Sequence, residues 1–165
     1  MVRGGFGMSR ERESPGPSDA EAGIWRGRSI ARRFVSSDGL TVLVGRSAAD
    51  NDVLTLRLAA PRDFWLHVAG SSGSHVVVRN PDGLERMPRA TAQLAAALAA
   101  GHSRARAGGS VAVHVARCAD VRKPRGFAAG QVQLARFSTV HATPLREAPE
   151  AAEAPGPSRP RQQRD

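Results

Sequence analysis

Apolar and polar positions alternate in short bursts along most of this chain. Stretches of four to six residues, rich in valine, isoleucine and leucine, are separated by glycine, serine, aspartate and proline. That spacing predicts strands. The expected strands are Ile30–Val35, Leu40–Val44, Val53–Leu58, Phe64–Val68, Val76–Arg79, Val111–Val115, Asp120–Arg122, Val132–Ala135 and Thr139–Ala142. Ser37-Asp38-Gly39 is a turn signal that makes a hairpin of the first two. One stretch has helical period instead. Pro88 suits a first turn, and Ala90, Leu94, Ala97, Leu98 and Gly101 then share one face. A shorter helical turn is expected over Ala48–Asn51. Strands in runs around one helix predict an α+β fold. The expected architecture is a mixed, mainly antiparallel β-sheet with one main helix packed on it.

The ends of the chain lack this pattern. Residues 1–23 hold glycine, proline and charges of both signs, and residues 146–165 hold proline, alanine, glutamate and arginine. Both are expected to be disordered, a leader and a tail around a domain at 24–145. The leader has no apolar core of a secretory signal, and no apolar run nears the roughly 20 residues of a membrane span. Cys118 is the one cysteine, so neither an intrachain disulfide nor a multi-cysteine metal site is available. A cytoplasmic protein is expected.

Charge changes the picture. The chain has 165 residues, 24 basic against 15 acidic, with a net charge of +9. An isoelectric point near 11.6 is that of a polyanion binder. Lys123 is the single lysine; codon bias explains arginine in place of lysine but not the excess of positive charge.

The candidate chemistry gathers in residues 63–79. Asp63, Trp65 and His67 share one face of a strand, with Phe64 and Leu66 on the other. A Gly-Ser-rich turn (Gly70 to Ser74) then leads to His75. Such a turn can offer backbone N–H groups and serine hydroxyls to an anion. Four readings of His67 and His75 stand open: metal ligands, an acid–base pair with Asp63 as orienter, hydrogen-bonded residues that hold the loop, or contacts to phosphate or base. Trp65 is either core or a stacking platform for an unpaired base. Arg122, Lys123 and Arg125 place three cations in a loop stiffened by Pro124, as phosphate contacts or a solvated turn. Arg46 ends a strand beside a helix start. His102, Arg104 and Arg106 either complement a helix C-terminus or reach a polyanion. Asp50-Asn51-Asp52 reads as a turn with capping oxygens, and Cys118 as a packed residue.

Four blocks also carry a resemblance. Asp63-x-Trp65-x-His67 with Gly73-Ser74-His75-Val76-Val77 resembles the signature of the NFACT-R domain. Val44-Gly45-Arg46-Ser47-Ala48-Ala49-Asp50-Asn51-Asp52 resembles the family's VGRNAxxND block. Ala95 to Arg106 resembles its AAxLAAxxSxxR helix, and Val121 to Gly130 its VxKPxGxxxG loop. The blocks keep the family's order over about residues 40–144. Departures are Ser72 for a proline, Ala69 for a basic residue and Ala128-Ala129 for a basic-proline pair. The resemblance implies the RNA-binding module of the Rqc2, NEMF and RqcH ribosome quality-control proteins, here free-standing. The expected function is binding of tRNA or rRNA, with the ribosome as a further partner, no cofactor, no metal and no catalysis. The expected contacts are Arg46, Asp63, Trp65, His67, Ser72, Gly73, Ser74, His75, Arg104, Arg122, Lys123 and Arg125. The alternatives are an RNA- or nucleotide-processing enzyme using His67 and His75, and a DNA-binding or adaptor module. Oligomeric state is left open.

Overall fold

An unbroken apolar run such as Val76-Val77-Val78 needs apolar cover on both faces of its sheet. A computed structural model, which describes residues 18–145, supplies it. The elements in chain order are α1 (Asp19–Ala22), β1 (Ile24–Trp25), β2 (Arg28–Ser29), β3 (Ala31–Val35), β4 (Thr41–Gly45), α2 (Ala48–Val53, continuing as a π-helical turn over Leu54–Leu58), β5 (Phe64–Val68), β6 (Val76–Val78), α3 (Arg89–Gly101), β7 (Val111–Arg117), β8 (Val121–Arg122), β9 (Gln133–Leu134) and β10 (Ser138–Ala142). Six strands form one sheet in the order β10-β7-β5-β6-β4-β3, every neighbouring pair antiparallel. The pairs β1–β2 and β8–β9 are small separate ribbons. The fold is α+β, as expected.

The two faces are covered differently. Phe34, Val42, Val44, Phe64, Leu66 and Val76 pack against Ala95, Leu98 and Ala99 of α3. The alanines of α3 let its backbone lie close to the sheet. Its N-terminus is closed from outside: Thr91 donates through N (3.1 Å) and Oγ1 (2.8 Å) to Asp38 of the β3–β4 turn. A carboxylate there also complements the helix dipole. On the opposite face Leu43, Trp65 and Val77 pack against Ile30, Leu54, Leu58 and Val121.

Three expectations change. Val53–Leu58 is helical, not a strand. Leu54, Leu56 and Leu58 alternate with Thr55 and Arg57, which fits period two. Ser47 nevertheless caps the segment by accepting from Asp50 N (3.1 Å), and helix formers Ala48 and Ala49 carry the helix forward. The buried set is Leu54, Thr55 and Leu58, with Leu56 exposed. The Ala59 N–H closes the turn by donating to the Leu54 carbonyl (2.9 Å), five residues back. On α3 the buried face is Thr91, Ala95, Leu98 and Ala99, with Ala90 exposed and Leu94 and Ala97 half-buried. The small side chains hide which stripe faces in. Finally, residues 18–23 of the expected leader form α1 and its cap, and Glu21 accepts from Arg79 Nε at 3.0 Å. The rest of that leader and the expected tail lie outside the described residues. No helix among the described residues is long and apolar enough to cross a membrane.

Asp63 belongs to this framework and not to a surface, which corrects its place among the expected contacts. It is 1% exposed. Its carboxylate accepts from Arg79 Nη1 (2.5 Å), Asn80 N (2.8 Å) and Ala60 N (2.8 Å), tying the start of β5 to the end of β6. Removing one partner of a buried ion pair leaves the other charge uncompensated, at about 3–5 kcal/mol. Asp63→Ala is therefore expected to lose stability of that order in urea denaturation. A loss under about 1 kcal/mol would show that Arg79 finds solvent or Glu21 instead.

Candidate nucleic-acid interface

Between β5 and β6 the chain reverses over residues 69–75, and its far end is held on two sides. On one side it pairs with the exit of α3. Gly73 forms an antiparallel bridge with Ser103, Ser74 N donates to His102 O (2.9 Å), and Arg104 N donates to Ser72 O (2.9 Å). A Cβ on Gly73 would stand 2.6 Å from the Ser103 Cβ, so glycine is required by the approach. On the other side Asn51 of α2 clamps the loop. Its Nδ2 donates to Gly73 O (3.3 Å) and its Oδ1 accepts from His75 N (3.0 Å). Gly45 makes room for it, since a Cβ there would lie 2.0 Å from Asn51 Oδ1. Ser74 Oγ donates to Gly45 O at 2.7 Å. Ser74 thus spends both its N–H and its hydroxyl inside the protein, which corrects its expected role as an anion donor. Ser72 stays exposed.

His75 is 1% exposed and engaged at both ring nitrogens. A carbonyl only accepts, so Nε2 carries the proton and donates to Gly130 O (2.9 Å). Nδ1 then accepts from Thr55 Oγ1 (2.7 Å), which itself accepts from Trp65 Nε1 (3.2 Å). Burial, reinforced by His67, lowers the His75 pKa to about 4. With both ring nitrogens engaged inside the protein, His75 has no ring N–H left for a ligand, which corrects its place among the expected contacts. Trp65 is 2% exposed and packs its ring edge to face with His75, so it is core and not a stacking platform. His67 is half-buried, stacked on Trp65 at 20° and level with His114 across the strands. Burial lowers its pKa too, against the pull of the Val68 and Gly73 backbone.

Lys123 also changes role. Its ammonium pairs with Asp52 (3.0 Å) and donates to the carbonyls of Ala128 (2.6 Å) and Gln131 (3.1 Å). Asp52 Oδ1 in turn accepts from Gly130 N (3.1 Å). The cation closes its own loop onto α2 instead of standing free. Arg122 and Arg125 are exposed, as are Arg46 and Arg104. Arg46 Nε donates to Ser29 Oγ at 3.2 Å.

Two clefts flank the Gly-Ser-His loop. One, of about 560 Å³, is lined by Ser47, Ser72, His102, Arg104 and Arg106 among others. The second, of about 580 Å³, is lined by His67, His114, Phe127, Gln131 and Val132 among others, with Trp65 and His75 at its floor. Ala48, Asn51, Ser72 and Gly73 line both, so the two form one groove. Of the expected contacts it gathers Trp65, His67, Ser72, Gly73, Ser74, His75 and Arg104. Arg46, Arg122 and Arg125 line neither cleft. Sequence reasoning missed Asn51, Thr55, Phe127 and Gly130 as groove-building residues, and weighed Arg106 as a helix-end cation or a polyanion contact without placing it among the expected contacts. Asn51 and Asp52 had a signal: two polar side chains inside a short capped helix need buried partners. Among the described residues no three metal-ligating side chains gather.

A helix across one face of an antiparallel sheet, with a glycine-built groove at the strand ends, places the chain in a defined class of α+β domain. The chain belongs to the NFACT-R family, described as the NFACT protein RNA binding domain, which it matches over residues 31–136. It is 38% identical over 115 residues to the Rqc2 homolog RqcH of Bacillus subtilis, covering 70% of this chain and 20% of that protein. It is 34% identical over 56 residues to the ribosome quality control complex subunit NEMF homolog of Drosophila melanogaster, covering 34% of this chain and 6% of that one. A solved structure, the C-terminal part of the fibronectin/fibrinogen-binding protein from Streptococcus suis, is similar with a TM-score of 0.66 and 30% identity. That likeness covers 86% of this chain and 52% of the other. The chain spans about a fifth of the length of the bacterial relatives it matches.

Two predictions follow from the locked floor. A histidine whose folded pKa lies near 4, against about 6.5 unfolded, gives stability that is complete above about pH 6.5. That stability is lost as pH falls toward 4, because the unfolded chain then binds the extra proton, an effect of up to about 3 kcal/mol. Urea titrations of the parent and His75→Gln across this range should show their stability difference shrinking as pH drops; a pH-independent difference would reject the assignment. Separately, Lys123→Ala is expected to lower the thermal midpoint by several degrees while Arg125→Ala leaves it within about one, since only the lysine holds three acceptors.

Proposed function

We propose that this domain binds structured RNA, of the tRNA or rRNA class, in ribosome quality control in the cytoplasm. The observation that carries the reading is the groove's basic end. Arg104 and Arg106 are exposed on a cleft beside the fixed loop, and neither side chain is in an ion pair among the described residues. Free guanidinium groups held beside a rigid edge suit phosphate oxygens. Arg46, Arg122 and Arg125 extend the positive surface beyond the groove, and a net charge of +9 supports long-range attraction. The family description and the names of the bacterial and fly relatives support RNA and the ribosomal setting.

The enzymatic alternative loses its support in the geometry. An acid–base pair needs ring nitrogens that reach substrate, and both nitrogens of His75 are spent on Thr55 and Gly130. Binding without chemistry is the better reading.

Salt dependence tests it. If about four to six phosphates are neutralised, log K for a tRNA-sized RNA falls with log salt at a slope of about −3 to −5. The double variant Arg104→Ala, Arg106→Ala is expected to bind roughly tenfold more weakly and to flatten that slope by about two. A salt-independent affinity, or equal affinity for a DNA duplex of the same length, would reject a phosphate-led RNA mechanism.

A further inference from the structure

The aromatic half of the groove is not explained by phosphate binding. Four phenylalanines lie among the described residues. Phe34 and Phe64 are core, whereas Phe127 is 40% exposed and Phe137 is 54% exposed. One of the two exposed rings lines the cleft and the other touches a residue that does. Phe127 lines it, and Phe137 meets the liner His114 edge to face at 4.5 Å. Exposed aromatic rings gathered at one concave site mark a binding surface more than chance does. The same cleft is lined by half-buried His67, whose ring stacks on the buried Trp65 at 5.8 Å. Burial lowers the pKa of both His67 and His75, which disfavours their charged forms, and the His67 ring lies within 20° of parallel to Trp65. At about 580 Å³ the cleft is of the size that takes small planar ligands.

We propose that this cleft is a base-accepting subsite: one unpaired nucleobase inserts between Phe127 and the His67–His114 floor. Its own phosphate then lies across Ser72 and Gly73, toward Arg104 and Arg106. The proposal rests on the RNA-binding reading and deepens it. The two clefts share Ser72, Gly73, Ala48 and Asn51, so a base on one side and its phosphate on the other need to span only the width of the loop. Phe127 is carried by the strap 123–131. That strap is fixed at Gly130 by His75 and Asp52, and at Lys123 by Asp52. The ring is therefore presented on a held segment and loses little freedom when a base stacks on it. Stacking is tolerant of base identity, so the subsite selects single-stranded or looped nucleotides over paired ones without reading sequence.

The test uses a hairpin RNA with one 2-aminopurine in its loop and a fully paired RNA of equal length, each with the parent, Phe127→Ala and the Arg104→Ala, Arg106→Ala variant. The parent should favour the looped RNA and change its 2-aminopurine fluorescence. Phe127→Ala should lose roughly tenfold in affinity for the looped RNA, and the fluorescence change, with affinity for the paired RNA kept. The arginine variant should weaken both. RNA binding with equal affinity for both RNAs and an unchanged fluorophore in the parent would overturn the subsite and leave the RNA-binding reading standing. No binding of either RNA at low salt would overturn both. The fluorescence readout on the parent decides the matter even where a variant is unstable.

Discussion

His75 joins three segments that the chain order keeps apart. It sits on the loop before β6, accepts a hydrogen bond from Thr55 twenty positions earlier and donates one to Gly130, 55 positions later. Each bond fixes the direction of the next. Gly130 can only accept, so Nε2 must donate, so Nδ1 must accept, so the Thr55 hydroxyl points inward and leaves its lone pairs to Trp65. A buried polar chain of this kind stabilises one arrangement because every alternative leaves a partner unsatisfied. The π-helical turn contributes here. Thr55 lies within that turn, which the Ala59 N–H closes onto the Leu54 carbonyl.

The division of labour among charged groups follows from the same constraint. Asp50, Asp52, Asp63, Arg79 and Lys123 are spent on the framework, each in an ion pair. Arg104 and Arg106, in no ion pair among the described residues, stand on its rim. Pairing costs a cation its reach toward a ligand but fixes backbone; leaving it unpaired does the reverse. The groove thus combines a floor that includes a buried histidine whose pKa is lowered to about 4 with a rim that can adapt. A polyanion would meet little reorganisation of backbone on arrival, and the proposed selectivity would come from shape and stacking.

Much of this was legible in the sequence. A short aromatic-rich run located Phe64–Val68, and the Ser37-Asp38-Gly39 turn set the β3–β4 hairpin, whose register Val35↔Thr41 closes on it. The family blocks located the loop and its neighbours. What was not legible has physical causes. Leu54, Leu56 and Leu58 fit both a strand and a helix, and the decision fell to the cap at Ser47. Alanine gives no contrast, so the inward face of α3 could not be read from Ala90 or Ala97. Lys123 and Arg125 look alike as cations in one loop, but their roles divide according to whether Asp52 lies within reach. Asp63 reads as a surface acid until Arg79 is brought beside it. Tertiary partners decided each case, and single positions carry no record of them.

The strap over residues 123–131 shows how far the framework reaches into function. Its cation, its glycines and its exposed phenylalanine are adjacent in sequence but answer to different demands. Gly126 and Gly130 adopt φ of 88° and 78°, which lets the chain turn back twice within five residues. Lys123 then closes the turn through two carbonyls of the same loop. Only after those requirements are met does Phe127 come to line the cleft. At 40% exposure the Phe127 ring keeps a substantial part of its surface open to the cleft. Its place on a strap held by His75, Asp52 and Lys123 is a consequence of the core network, so the geometry of the groove is inherited from the buried histidine and not set by the surface residues that line it.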